Sequence, residues 1–154
     1  MYFNGKGEKN LMKSSTIQKL AWAYAVMFAI IGSLAHIPFI NDAEGYTLGI
    51  FRLELHDDLL HYASGLWAAI AAWRSHKSSV FFFKLFGLIY GLDGVMGFFL
   101  GQGYLDGGIF IHGITPLEWS LKFFANLPHI AIGGIAVLIG FVLSKRFTND
   151  GQKQ

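Results

Sequence analysis

The sequence predicts an all-α integral membrane protein: a bundle of four transmembrane helices, built as two hairpins in parallel repeat, with a short helix at the outer interface. Three observations carry this. Four apolar runs, Ile17–Ile40, Leu55–Trp73, Val80–Leu100 and Leu127–Leu143, are long enough, or nearly so, to cross a bilayer, which takes about 20 residues. The basic residues fall almost wholly on one side of the alternation that those runs impose. The fourth run also repeats the second.

The chain opens on a tail, residues 1–16, whose Lys6, Lys9 and Lys13, with Lys19 just beyond, precede the first run. A basic region of that length suits a retained first membrane helix better than a cleaved leader, although Ser33-Leu34-Ala35 has the small residues of a cleavage site. The first outer loop, Asn41 to Glu54, carries Asp42, Glu44 and Glu54. After the second run comes a short connection with Arg74, His76 and Lys77, and Lys84 follows inside the third run.

That third run has Gly87 and Gly91, then Gly97 and Gly101, at the spacing that lets helix backbones approach closely in lipid. Packing within the bundle accounts for these glycines, and the same stripe could meet a membrane-protein partner or a second copy of the chain. In the second outer loop, Gly101 to Asn126, Thr115-Pro116-Leu117-Glu118 has the pattern of a capping box with Pro at the first helical position. It predicts a helix over 116–124, with Trp119 as its interfacial anchor. Lys145, Arg146 and Lys153 follow the fourth run, so 17–145 is the membrane domain and 146–154 a second tail. Only Arg52 and Lys122 fall on the opposite side, and the positive-inside rule puts both termini in the cytoplasm.

Composition agrees and excludes other classes. Of 154 residues, 53% are hydrophobic and 14% charged, against about a quarter charged in soluble domains. The absence of cysteine excludes disulfides and thiolate metal sites. A formal charge of +2 gives no case for nucleic acid. No nucleophile with its base, phosphate loop or nucleotide fingerprint is present, so whether the protein is an enzyme stays open. The paired phenylalanines at helix ends, such as Phe98-Phe99, read as lipid contacts.

The repeat aligns without gaps. Asp58-Leu-Leu-His61-Tyr-Ala63-Ser-Gly65 lies over Asn126-Leu-Pro-His129-Ile-Ala131-Ile-Gly133. Both segments run from outside to inside, so the two hairpins are related by an axis along the membrane normal.

His76 belongs to the cytoplasmic side, whereas His36, His56, His61, His112 and His129 map to the outer half or outer surface. His36, His61, Asp93 and His129, one from each run, lie within about 5–10 Å of the outer boundary at 1.5 Å per residue. Such groups are costly in a bilayer and face one another inside a bundle. A metal ion or haem iron is one reading: His61 and His129 as opposed ligands, Asp93 and His36 completing the set. Asp57, Asp58 and Asn126, about one turn earlier, would hold the second ring nitrogens. A buried polar network without ligand is the second. A proton or ion path is the third, weakened because only Tyr90 continues it between Asp93 and Lys84.

The stretch Gly49-Ile-Phe-Arg-Leu-Glu-Leu-His56-Asp-Asp-Leu-Leu-His61 resembles the "G-x-F-x-x-N-x-x-H-N-x-x-H" start of the second helix in a bacterial membrane family catalogued as domain of unknown function 4383. Asn126-x-x-His129-x-x-x-Gly133 resembles its fourth-helix signature, and Tyr90, Gly94 and Gly97 its third helix. The resemblance spans about residues 17 to 145. It implies a four-helix protein of the bacterial plasma membrane and carries no established activity. Asp57 and Asp58 stand where Asn is more usual, and His36 and His112 are additions. The expectation is thus a multi-pass membrane protein whose outer His/Asp site handles a metal or haem. The alternative is a non-catalytic accessory or scaffold subunit whose polar cluster only fixes packing.

Overall fold

The computed structural model describes residues 15–51 and 53–150, the last three by backbone alone. Most of the expected N-terminal tail, with Lys6, Lys9 and Lys13, lies outside the described residues, as do Arg52 and Lys153.

Helix α1 (Thr16–Ile31) starts in a reciprocal cap: the Ser15 hydroxyl accepts the Gln18 N–H at 3.2 Å, and the Gln18 side chain accepts the Ser15 N–H at 3.0 Å. The first apolar run was expected to be helical to Ile40, but the α-helix stops at Ile31 and gives way to 3₁₀ turns at Leu34–His36 and Pro38–Ile40. Pro38 lacks the N–H that a continuing helix needs. The strap that follows is tied back by Asn41, whose amide donates to the carbonyls of Ala35 and Ile37, both at 2.9 Å. Its carbonyl accepts the buried Thr47 hydroxyl at 2.6 Å.

Helix α2 (Leu55–Arg74) begins where the Asp57 carboxylate accepts the Glu54 N–H at 2.8 Å. A single residue, Ser75, separates it from α3 (His76–Leu100) and caps α3 by accepting the Ser78 N–H. His76 is therefore the first residue of a helix, its Nδ1 3.0 Å from the Ser15 hydroxyl. α3 ends at Gly101, whose φ of 83° is the left-handed helix stop that favours glycine.

A loop containing the one-turn helix α4 (Gly108–His112) leads to α5 (Trp119–Leu138), which continues through a π turn, Ile139–Leu143, into α6 (Ser144–Asp150). The separate interfacial helix expected over 116–124 is not formed. The Thr115 hydroxyl accepts from the Gln102 amide and the Thr115 N–H donates to Leu100 O, so Thr115 holds the loop instead of capping a helix. Trp119 to Phe124 are the opening turns of α5 itself. At the other end the helix runs past residue 146, where a tail was expected.

The architecture is all-helical, with no strand among the described residues. Three helical stretches are long and apolar enough to cross a membrane: Thr16–His36, His76–Leu100 and Trp119–Phe147. α1 packs along α2 and α3 along α5, with α3 also meeting α1 and α2. The core is aromatic: Tyr24, Phe28, Phe82, Phe83, Phe86 and Tyr90 meet at ring-centroid distances of 4.7 to 6.3 Å.

The two helix pairs use corresponding contacts. His61 of α2 stacks on Phe28 of α1 (6.1 Å), and His129 of α5 lies against Tyr90 of α3 (4.5 Å). A Cβ added to Gly32 would meet His61 Cβ at 3.3 Å, and one added to Gly94 would meet His129 Cβ at 2.8 Å.

Candidate functional site

Among the described residues, the end of the bundle that carries the two long loops gathers most of the buried polar side chains, Thr47, Asp58, His61, Asp93 and Asn126. Asp93, on α3, is fully buried. Its Oδ1 accepts the backbone N–H groups of Tyr104 (2.6 Å) and Leu105 (2.8 Å), and its Oδ2 lies 2.7 Å from His129 Nδ1. The Gly101–Gly108 segment can dip this far because it is glycine-rich: a Cβ on Gly103 would come within 2.7 Å of both carboxylate oxygens. Tyr104 completes the anchor by donating its hydroxyl to Ile89 O at 2.7 Å. Burial, with the Asp93 charge behind it, pushes the Tyr104 phenol up, which keeps that proton on. Both Asp93 oxygens are thus already engaged.

With its Nδ1–H donated to Asp93, His129 presents the Nε2 lone pair. His61 lies in the same region, 6% exposed, and its Nδ1 has no hydrogen-bond partner. Both imidazoles line a cavity of 160 Å³ whose wall also includes Asp57, Gln102, Asp106 and Asn126. Asp57, Gln102 and Asp106 face in turn a larger, more open cavity of 580 Å³, bordered by Glu54, His56 and His112. On this shared wall, ligand atoms of His56, Asp57 and Asp106 all lie within 4.8 Å of one another. Two carboxylates so close repel unless a proton or a cation sits with them.

The expected ligands therefore separate. His61 and His129 share a chamber; Asp93 stands behind His129 and positions its ring. His36 is elsewhere: it is exposed, its Nε2 3.2 Å from Oδ2 of the buried Asp58, whose Oδ1 has no partner. Among the second-line residues, Asp57 joins His56 and Asp106, Asp58 serves His36, and Asn126 donates to Lys122 O on its own helix. Among the described residues, the three-ligand group is the one built from His56, Asp57 and Asp106. Neither Asp106, which lies in a loop, nor His56 was among the expected ligands. The only sequence signal for Asp106 is an acidic residue inside Gly101-Gln-Gly103-Tyr-Leu-Asp106-Gly-Gly108.

No family model, curated protein or solved structure matches the chain.

Proposed function

We propose that this chain is a four-helix integral membrane protein that binds a divalent transition-metal ion at the outer end of its bundle. The observation that carries the metal reading is the convergence of His56, Asp57 and Asp106, drawn from two segments separated in sequence, beside a chamber lined by His61 and His129. One imidazole with two carboxylates, and two more imidazoles nearby, suits manganese, iron or zinc. Two carboxylates in the donor set are not usual ligands of haem iron, which is held by histidine, cysteine, methionine or tyrosine, and this favours a bare ion over haem. Metal handling at the extracytoplasmic face is the function that follows, with redox chemistry open to it if the ion is iron or manganese.

The fourth span is α2. Leu55, Leu59, Tyr62, Leu66, Ile70 and Trp73 form one exposed apolar stripe along its whole length, while Asp58, His61, Ser64, Gly65, Ala68 and Ala71 are buried. Such a helix, apolar outside and polar or small inside, suits lipid and not water. With four spans the lysine and arginine distribution puts both termini in the cytoplasm, and the matched contacts of α1–α2 and α3–α5 make the bundle a parallel repeat. Kinship with the family of domain of unknown function 4383 is proposed on the Gly49–His61 and Asn126–Gly133 motifs with Tyr90, Gly94 and Gly97 of the third helix.

A second reading has one observation in its favour: Asp93 is fully satisfied, as in a network that only fixes packing. Metal analysis of the detergent-purified protein after dialysis against manganese or zinc separates the two. Near-stoichiometric metal is expected, with affinity reduced about 10–100-fold in His56→Ala and in Asp106→Asn, and falling at lower pH as protons compete for the ligands. Absence of bound metal from the folded wild type sinks the metal reading and leaves the packing network.

A further inference from the structure

A third cavity, of 190 Å³, is also lined by His61 and His129 and shares Phe51, Leu53 and Ala125 with the 160 Å³ chamber. Its remaining walls are mainly apolar: Ile31 and Leu34 beyond α1, Phe51 of the strap, and Pro128 and Ile132 of α5. Tyr90, which also lines it, is 1% exposed, and its hydroxyl has no hydrogen-bond partner. Two residues that line the cavity from different helices thus each carry a buried polar atom without a hydrogen-bond partner: Tyr90 Oη on α3 and His61 Nδ1 on α2. Leaving such groups unpaired is costly, and a bound ligand that pairs them recovers the loss.

Size narrows the ligand. An engineered apolar cavity of about 150 Å³ takes up benzene, so 190 Å³ holds a single substituted six-membered ring. Chemistry narrows it again. A tyrosine hydroxyl can donate, as can imidazole Nδ1 in the tautomer that carries its proton there, so a ring with acceptor oxygens at separate edges pairs both, and the apolar walls disfavour a charge. Access narrows it a third time. The Tyr24 hydroxyl donates to Ile132 O at 2.9 Å and closes the seam between α1 and α5. The cavity lies on the loop-end side of that bond, lined by residues later in α1 and earlier in α5. A molecule dissolved in the bilayer reaches such a seam directly.

We infer that this cavity binds the ring of a membrane quinone, its carbonyl oxygens accepting from Tyr90 and His61. The inference is independent of the metal reading: it uses Tyr90 and the Nδ1 of His61, and it requires no ion.

The test is titration of chelator-treated protein in detergent with 2,3-dimethoxy-5-methyl-1,4-benzoquinone, and with p-xylene as a ring of similar size that lacks acceptors. Saturable binding of one quinone per chain is expected, read as heat and as a rise in unfolding midpoint, with p-xylene weaker. Tyr90→Phe, which keeps the ring and removes only the hydroxyl, should weaken quinone binding about tenfold and leave p-xylene unchanged. Leu34→Trp should fill the cavity and abolish both; the unfolding midpoint without ligand shows whether it folds. Three results overturn the inference: no saturable quinone binding, equal binding of p-xylene with no effect of Tyr90→Phe, or binding that appears only when metal is restored.

Discussion

The two helix pairs make similar contacts and differ at one position that decides how each histidine is held. In α1–α2, Gly65 faces Phe28 and the backbone of Ala25 and Ala29; in α3–α5, Gly133 faces Gly91 and Gly87. Aligning Phe28 with Tyr90 and Gly32 with Gly94 puts Ala25 with Gly87, Ala29 with Gly91, and Ile31 with Asp93. The last pairing explains the difference in the histidines. His129 has a carboxylate partner because the corresponding position on its neighbour is Asp93; His61 has none because that position is Ile31. A repeat that supplies the partner once yields one held ring and one with a free Nδ1.

The largest test of that contrast is Asp93→Ala. It removes the partner of His129 and strands the Tyr104 and Leu105 N–H groups. Losing one member of a buried pair costs about 3–5 kcal/mol, so the unfolding midpoint in detergent should drop steeply and the 101–108 loop should become protease-sensitive. Ile31→Ala at the corresponding, half-buried position should cost under about 2 kcal/mol. Equal losses would break the contrast.

Close approach gives a smaller difference. A Cβ on Gly133 would lie 2.6 Å from Gly91 Cα and 3.0 Å from Gly87 O, backbone that cannot move without parting the helices. On Gly65 the nearest atoms are Phe28 Cβ at 3.1 Å and Ala25 O at 3.2 Å. Gly133→Ala is expected to cost about 2–3 kcal/mol, in the range of overpacking, and Gly65→Ala about 1 kcal/mol or less. Thermal unfolding of the two variants side by side decides it; a larger loss at Gly65 would reverse the ranking of the pairs.

Much of this was legible in the sequence, for identifiable reasons. The Asp58–His61 and Asn126–His129 echo pointed to the two histidines that line one cavity and pack on an aromatic ring of the neighbouring helix. Asp93 and His129 could be placed at one level because helical rise is fixed. What was hidden was set by loops. Nothing in helix periodicity says that Gly101–Gly108 folds inward and donates two backbone N–H groups to Asp93 Oδ1, or that Asp106 thereby arrives beside Asp57 and His56. Thr115 misled for a similar reason: a capping pattern is local, and a tertiary hydrogen bond to Gln102 took its hydroxyl.

The correspondence between Ile31 and Asp93 has one further consequence, smaller in energy and sharper in meaning. If the pairs are equivalent, a carboxylate at position 31 should find His61 as Asp93 finds His129. Ile31→Asp alone places a charge near the membrane interior and costs stability, so the single variant says little. A double-mutant cycle with His61→Phe isolates the coupling, because that second change keeps an aromatic ring against Phe28 while removing both nitrogens. Groups in direct contact show interaction energies of about 0.5–3 kcal/mol; near 1 kcal/mol is expected here, since Ile31 is only half-buried. In thermal unfolding, Ile31→Asp should therefore be less damaging with His61 present than with Phe in its place. Additive losses would mean that position 31 does not face the imidazole as position 93 does, and the missing partner of His61 would then need another explanation than the repeat.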